Sequence, residues 1–226
     1  MRHLRRSSAA VLVVLLMFCA YMGFGYWKKH TPEAALAHIA HAVAAEDSVT
    51  FDQYVDTDAV LAGLSEDAAA LLTENIDALH TRHPSDWFFR HDAAFMEQYM
   101  AKRRAADIAF VRAALDYYFD SSRVPISRTD GTARWASDEM RAFAAAYSVT
   151  VGAVRTDGDR AYADVVLHGN DSTYGRLLPA AAFTLELARM ADGRWKLVRV
   201  RTAADEDGFF ALVDAAERYW ALQGWD

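Results

Sequence analysis

The chain has 226 residues, enough for one domain with a real hydrophobic core, and its 53% apolar and 24% charged content is globular rather than disordered or repetitive. One cysteine, Cys19, excludes an intramolecular disulfide and a multi-thiolate zinc site. The net charge of −7 hides an asymmetry: with Arg2, Arg5 and Arg6 set aside, 21 basic and 31 acidic residues remain, so residues 28–226 carry −10. A body that acidic lacks the basic face that nucleic acid requires, and we expect no nucleic-acid partner.

Residues 1–8 form a basic tail. Ala9 to Trp27 is an uncharged run of 19 residues. As a helix it would cover about 28 Å, close to the hydrocarbon thickness of a bilayer. Tyr21, Tyr26 and Trp27 cluster at its far end as an interfacial belt, followed by Lys28, Lys29 and His30. Three basic residues before the run against two lysines after it favour a cytoplasmic N-terminus. A cleaved signal peptide is the competing reading. Its apolar region is shorter, about 7–15 residues, and ends at small residues, which only Gly23-Phe24-Gly25 approaches. Cys19 follows Met17-Phe18 rather than a small residue, unlike a lipoprotein signal. The expectation is a single-pass transmembrane anchor at 9–27 carrying one extracytoplasmic α+β domain at 28–226.

From 31 to 146 the pattern is helical. Thr31-Pro32-Glu33 is a helix start, with a hydroxyl cap, proline in the first turn and an acid against the positive end of the helix dipole. Leu36, Ile39 and Val43 follow as a core stripe. Phe51, Tyr54 and Val55 suggest a short second helix. Asp56-Thr57-Asp58 precedes a turn or two bearing Val60, Leu61 and Leu64, and Ser65-Glu66-Asp67 starts another helix with Leu71, Leu72, Ile76 and Leu79 inward. After Pro84 the longest helical stretch runs 87–119, with a bend expected at Lys102-Arg103-Arg104, where its apolar stripe changes phase. A polar loop, 121–130, contains Pro125, and Ser137-Asp138-Glu139 caps a short helix with Met140 and Phe143.

At Tyr147 the period falls from 3.6 to 2. Tyr147, Val149 and Val151 alternate with polar or small residues, and Ala161, Ala163, Val165 and Leu167 do the same after an Asp157-Gly158 turn. Phe183, Leu185 and Leu187 make a third strand. Asp192-Gly193 turns into a fourth at Trp195 to Arg201. A C-terminal helix over 205–223 carries Phe209, Leu212, Val213, Ala216, Tyr219 and Trp220. The fold class is therefore α+β: an N-terminal transmembrane helix, a helical region, a four-stranded antiparallel meander over 147–202, and a C-terminal helix.

The run Arg160 to Leu167, then Phe183 to Leu187, then Asp192-Gly193-Arg194-Trp195-Lys196-Leu197-Val198 resembles the closing strands of the nuclear-transport-factor-2-like superfamily. Thr31-Pro32-Glu33 through Asp56 is similar to the opening helices of bacterial membrane-anchored members. The resemblance covers about half the chain and leaves the segment 65–130 without a role. It implies a cone-shaped domain, and such domains serve as enzymes, ligand binders and dimeric scaffolds, so fold alone selects no function.

Each candidate site has an ordinary structural explanation. His80, His83, His91 and Asp92 are types that ligate zinc, but Pro84 interrupts any common helix face. His38 and His41 fall opposite the Leu36 stripe, on a solvent face. Asp56 and Asp58, like Asp205 and Asp207, stand where helix caps belong. Lys102-Arg103-Arg104 is too short for a lipid or nucleic-acid patch. Trp87, Phe88, Phe89, Phe95, Tyr99, Tyr117, Tyr118 and Phe119 read as core. Tyr162, Asp164 and Glu186 are the strand residues suited to proton transfer, yet alternation sets the two acids opposite the apolar face and toward solvent. No nucleophile triad, phosphate-binding glycine loop or zinc-protease helix occurs.

The sequence thus assigns no catalytic, cofactor-binding or metal residues and no cofactor. It points to an anchored extracytoplasmic binding or accessory module for a protein partner or an apolar small molecule. Alternatives are a small-molecule isomerase or hydrolase using the cone pocket, and an oligomeric scaffold, a homodimer in its simplest form, pairing through its open sheet face.

Overall fold

The computed structural model describes residues 30–119 and 130–224. The expected anchor at 9–27, with Cys19, and all of the 121–130 loop except Asp130 lie outside the described residues. Among the described residues are seven α-helices and one four-stranded antiparallel sheet. The helices are α1 (Pro32–Ala44), α2 (Ser48–Tyr54), α3 (Thr57–Glu74), α4 (Ile76–Arg82), α5 (Ala93–Phe119), α6 (Asp130–Ala146) and α7 (Phe209–Gln223). The strands are β1 (Tyr147–Asp157), β2 (Arg160–Gly169), β3 (Ala180–Arg189) and β4 (Trp195–Arg201), in the order β1-β2-β3-β4. No helix among the described residues is long and apolar enough to cross a membrane.

Side-chain caps fix the first three helices. Thr31 accepts from the Ala34 amide at 3.2 Å, and Pro32 begins α1 in its preset conformation. Asp47 accepts from both the amide and the hydroxyl of Thr50, which holds its carboxyl below the ordinary carboxylate range. Asp56 caps α3 through the Ala59 amide at 3.0 Å, while its own amide donates to the Leu197 carbonyl and ties the helix start to β4. Asp56→Ala keeps that backbone tie and loses only the cap. We expect a loss of about 1 kcal/mol, read as a lower urea midpoint with an unchanged slope.

Three helix boundaries differ from the sequence expectation. Residues 57–74 form one continuous helix, with Ser65 in its interior, because Ala62, Ala68, Ala69 and Ala70 carry it past the second start signal. It ends at Asn75, whose backbone and side-chain N–H groups both donate to the Leu71 carbonyl. The helix after Pro84 begins only at Ala93, following a 3₁₀ turn at Phe88–Arg90. It then runs unbroken for 27 residues through Lys102-Arg103-Arg104. The phase change there marks a change of neighbour: Met96 packs with Ile76, Leu79, Phe89 and Phe209, whereas later turns lie against α3 and α6. Arg103 pairs with Asp107 along the helix and Arg104 reaches Glu66 on α3. Helix α6 starts at Asp130, well before Ser137. The Ser137 hydroxyl is buried and accepts from Arg141, so it is no cap.

The sheet follows its alternation. Gly158 and Gly193 take positive φ in the two predicted Asp-Gly turns. Ala161, Ala163, Leu187 and Trp195 face Ala35 and Leu36 of α1 in the main core. Two bulges interrupt the ladders: Gly152 and Ala153 stand opposite Asp164, and Val198 is the extra residue facing the Glu186–Leu187 step. Val55 bridges to Leu197 in parallel, and α3 runs along the β4 edge. The β1 edge is the open one, with Val149 and Val151 exposed.

Candidate functional site

Helix α7 is held by an apolar first turn, with Phe210 and Val213 packed against the second core, and by polar ties beyond it. Its first residue, Phe209, enters the second core beside Leu79 and Met96. The N-cap is Gly208, without a side-chain cap, so Asp205 and Asp207 do not cap by carboxylate as expected. The Asp205 carbonyl serves instead, accepting from the Phe210 amide, while the Asp207 carbonyl accepts from the Ala182 amide and ties the turn to β3. Farther along, Asp214 takes a two-pronged contact from Arg82 at 2.7 and 2.6 Å and meets His83 Nε2 at 3.0 Å. Arg218 donates to the Leu177 carbonyl and Tyr219 to Glu139.

Between these ties the helix presents small side chains, and space remains on both sides of it. One cavity of about 390 Å³ is bounded by Phe143, Tyr147, Leu167, Leu178, Ala215 and Tyr219. A second, of about 320 Å³, lies between α3, α7 and the β3–β4 end of the sheet, against Leu64, Leu71, Phe183, Val200 and Trp220. Leu212 and Ala216 line both. Both volumes fall in the range of small-ligand pockets, and their walls are almost wholly aliphatic and aromatic.

The polar atoms near the larger cavity are turned away from it. Tyr219 and Tyr174 both donate to Glu139 Oε2, at 2.9 and 2.8 Å, and Tyr147 donates to the Tyr174 carbonyl at 2.6 Å. Burial, reinforced by the Glu139 carboxylate, raises the Tyr219 phenol far above its ordinary value. Hydrogen bonding to Glu139, with burial added, raises Tyr174, and burial raises Tyr147. These phenols therefore stay protonated donors at neutral pH. In the second cavity the polar wall residues include Asp67, which Arg199 pairs, and Arg201, which binds Glu186. The arrangement suits an apolar body and presents no activated nucleophile among the described residues.

Asp214 gives the site a pH dependence. The Arg82 guanidinium holds its carboxyl below the ordinary range, and His83 adds to the effect against the opposing cost of burial. A depressed folded-state value stabilises above the unfolded value, near about 3.9, and the gain is lost as pH falls through the lower folded value. Asp214→Asn should cost about 1–3 kcal/mol at pH 7. Urea midpoints of the variant and the parent should draw together as the pH falls below about 3.9; parallel curves would show that α7 does not depend on this pair.

The residues singled out in the sequence do not converge. His80 is exposed, His83 faces Asp214, and His91 stacks on Phe95 at 3.8 Å. No group of three His, Cys, Asp or Glu side chains among the described residues is placed to hold a metal. His38 is half-buried and stacked on Tyr54 rather than turned to solvent, while His41 is exposed. Asp58 pairs with Arg112. Asp164 is exposed and pairs with Arg155. Glu186 departs from expectation: it is 8% exposed, because Arg160 at 2.7 Å and Arg201 at 3.2 Å cover its carboxylate. Both of its oxygens are engaged by guanidiniums, and Tyr162 sits half-buried on the same face of the sheet. The residues that shape the site, Glu139, Tyr174 and Asp214, carried no such signal in the sequence. Glu139 read as a capping acid.

No protein-family model, curated protein or solved structure matches the chain.

Proposed function

We propose that the chain is a membrane-anchored extracytoplasmic module that binds an apolar small molecule beneath α7. The observation that carries this reading is the pair of apolar clefts beside α7, which share Leu212 and Ala216. Clefts lined this way favour apolar guests, because they offer water few hydrogen-bond partners and an apolar body much surface to bury. The uncharged run 9–27 with its basic flanks supports an anchor that leaves the acidic domain outside the cytoplasm. The resemblance to the nuclear-transport-factor-2-like superfamily implies a cone-shaped domain, and a pocket in such a domain is one place an apolar ligand would sit.

The test is native mass spectrometry of the full chain released from detergent micelles, followed by titration with the neutral fluorophore N-phenyl-1-naphthylamine. A bound apolar compound, or saturable fluorescence at one or two sites per chain, is expected. A clean protein mass together with no saturable fluorescence would overturn the reading.

A further inference from the structure

The sheet face opposite the main core holds a different kind of space, a groove of about 470 Å³ between α3 and strands β2–β4. Its helical wall is Ala59, Ala62, Gly63 and Glu66, and the three small residues leave room between α3 and the strands. A methyl at Gly63 would come within 3.2 Å of Arg199 Cγ, so the arginine stem fills the place a side chain would take. On the floor, Glu186 gives one oxygen to Arg160 from β2 and the other to Arg201 from β4. Arg199 lies in the same groove and pairs with Asp67.

Three guanidiniums meet two carboxylates here, Glu186 and Asp67, and the third acid of the region, Glu66 on the groove wall, is paired with Arg104 outside the trio. The groove therefore keeps a net positive charge on a body that carries −10. Each guanidinium has five N–H donors. Arg160 and Arg201 each spend one on Glu186, and Arg199 spends two nitrogens on Asp67. About half of the Arg160 and Arg201 side chains is open to solvent, whereas the Glu186 carboxylate beneath them is only 11% exposed. The Glu186 side chain is thus buried beneath two half-exposed arginines that its two oxygens hold side by side.

We propose that this groove binds a phosphate group, free or carried as a phosphomonoester headgroup, through Arg160, Arg199 and Arg201, with Glu186 as the positioning residue for two of them. Forked donors approaching from three neighbouring points match a group with three or more terminal oxygens better than a two-oxygen carboxylate.

The experiment is calorimetric titration of the full chain in nonionic detergent, at fixed ionic strength, with inorganic phosphate and with glycerol 3-phosphate. Saturable binding is expected, weakened about tenfold or more in both Arg160→Gln and Arg201→Gln. Arg201→Lys keeps the charge and loses the fork, so it is expected to weaken binding as well and guards against an unfolded variant. Arg155→Gln, an exposed pair partner outside the groove, should leave binding unchanged. Tighter binding of glycerol 3-phosphate assigns the site to a headgroup, and equal or tighter binding of inorganic phosphate assigns it to the free ion. Glu186→Gln adds net positive charge, so charge alone predicts a gain; a loss is expected from misplaced guanidiniums, and a gain overturns the positioning role. No saturable binding of either probe, or equal weakening by Arg155→Gln, overturns the proposal.

Discussion

Gly169→Ala should destabilise the chain by about 3 kcal/mol or more, among the largest effects of any single methyl in this protein. A Cβ there would overlap the Gly175 carbonyl oxygen and stand 2.8 Å from the Leu178 carbonyl oxygen. Both obstacles are backbone, so no rotamer change relieves them. The loop cannot swing away either: Gly169 donates to the Pro179 carbonyl and Asn170 to the Ala146 carbonyl, closing the link between β2 and β3 onto the end of α6. That loop supplies Leu178 to the larger cavity and Tyr174 to Glu139, so the wall of the site moves with it. Gly158→Ala is the informative comparison. Gly158 has open space around it and a φ of 57°, so its cost is conformational alone, about 1 kcal/mol. Urea denaturation of the two variants should separate them clearly; equal losses would mean that the 169–178 loop relaxes freely.

The parts of the fold legible in the sequence were those fixed by local chemistry. Asp157-Gly158 and Asp192-Gly193 form the two turns because only a residue tolerant of positive φ closes them. Thr31-Pro32-Glu33 starts α1, and Ala161, Ala163 and Leu187 fill the face their alternation assigns. Start signals failed where the chain was already helical. Ser65 and Ser137 are competent caps, but alanine-rich flanks make continuation cheaper than a break, and each lies inside a helix. The phase change at Lys102-Arg103-Arg104 was a real feature given the wrong cause. A stripe records what a helix touches, and α5 touches different partners at its two ends.

Glu186 marks a further boundary of sequence reasoning. Alternation correctly sets it on the face opposite Leu185 and Leu187, but says nothing about what covers that face. The arginines that bury it come from positions 160 and 201, and α3 walls the groove from residues 59–63. The apolar cavities were hidden for a related reason. Ala216 and Leu212 read as ordinary core positions of a helical stripe, and a void is a property of how far α7 stands from the sheet, which the ties at Asp214, Arg218 and Tyr219 determine.

Because Ala216 lines both cavities, Ala216→Phe should remove binding of N-phenyl-1-naphthylamine while leaving the domain folded. The ring enters space that is otherwise unfilled. Its burial gains about 1.5–3 kcal/mol, and crowding against Leu212 and the sheet costs about 1–3 kcal/mol, so the two nearly cancel. Affinity, by contrast, should fall at least about tenfold, since a guest worth 1.4 kcal/mol per factor of ten must displace the ring or bind outside. The combination distinguishes this position from the tie residues, whose loss lowers stability and binding together. Urea midpoints and fluorophore titrations on the same preparations decide it. Wild-type affinity in Ala216→Phe would move the apolar site away from α7, and a large loss of stability would show that the helix already packs there without room to spare.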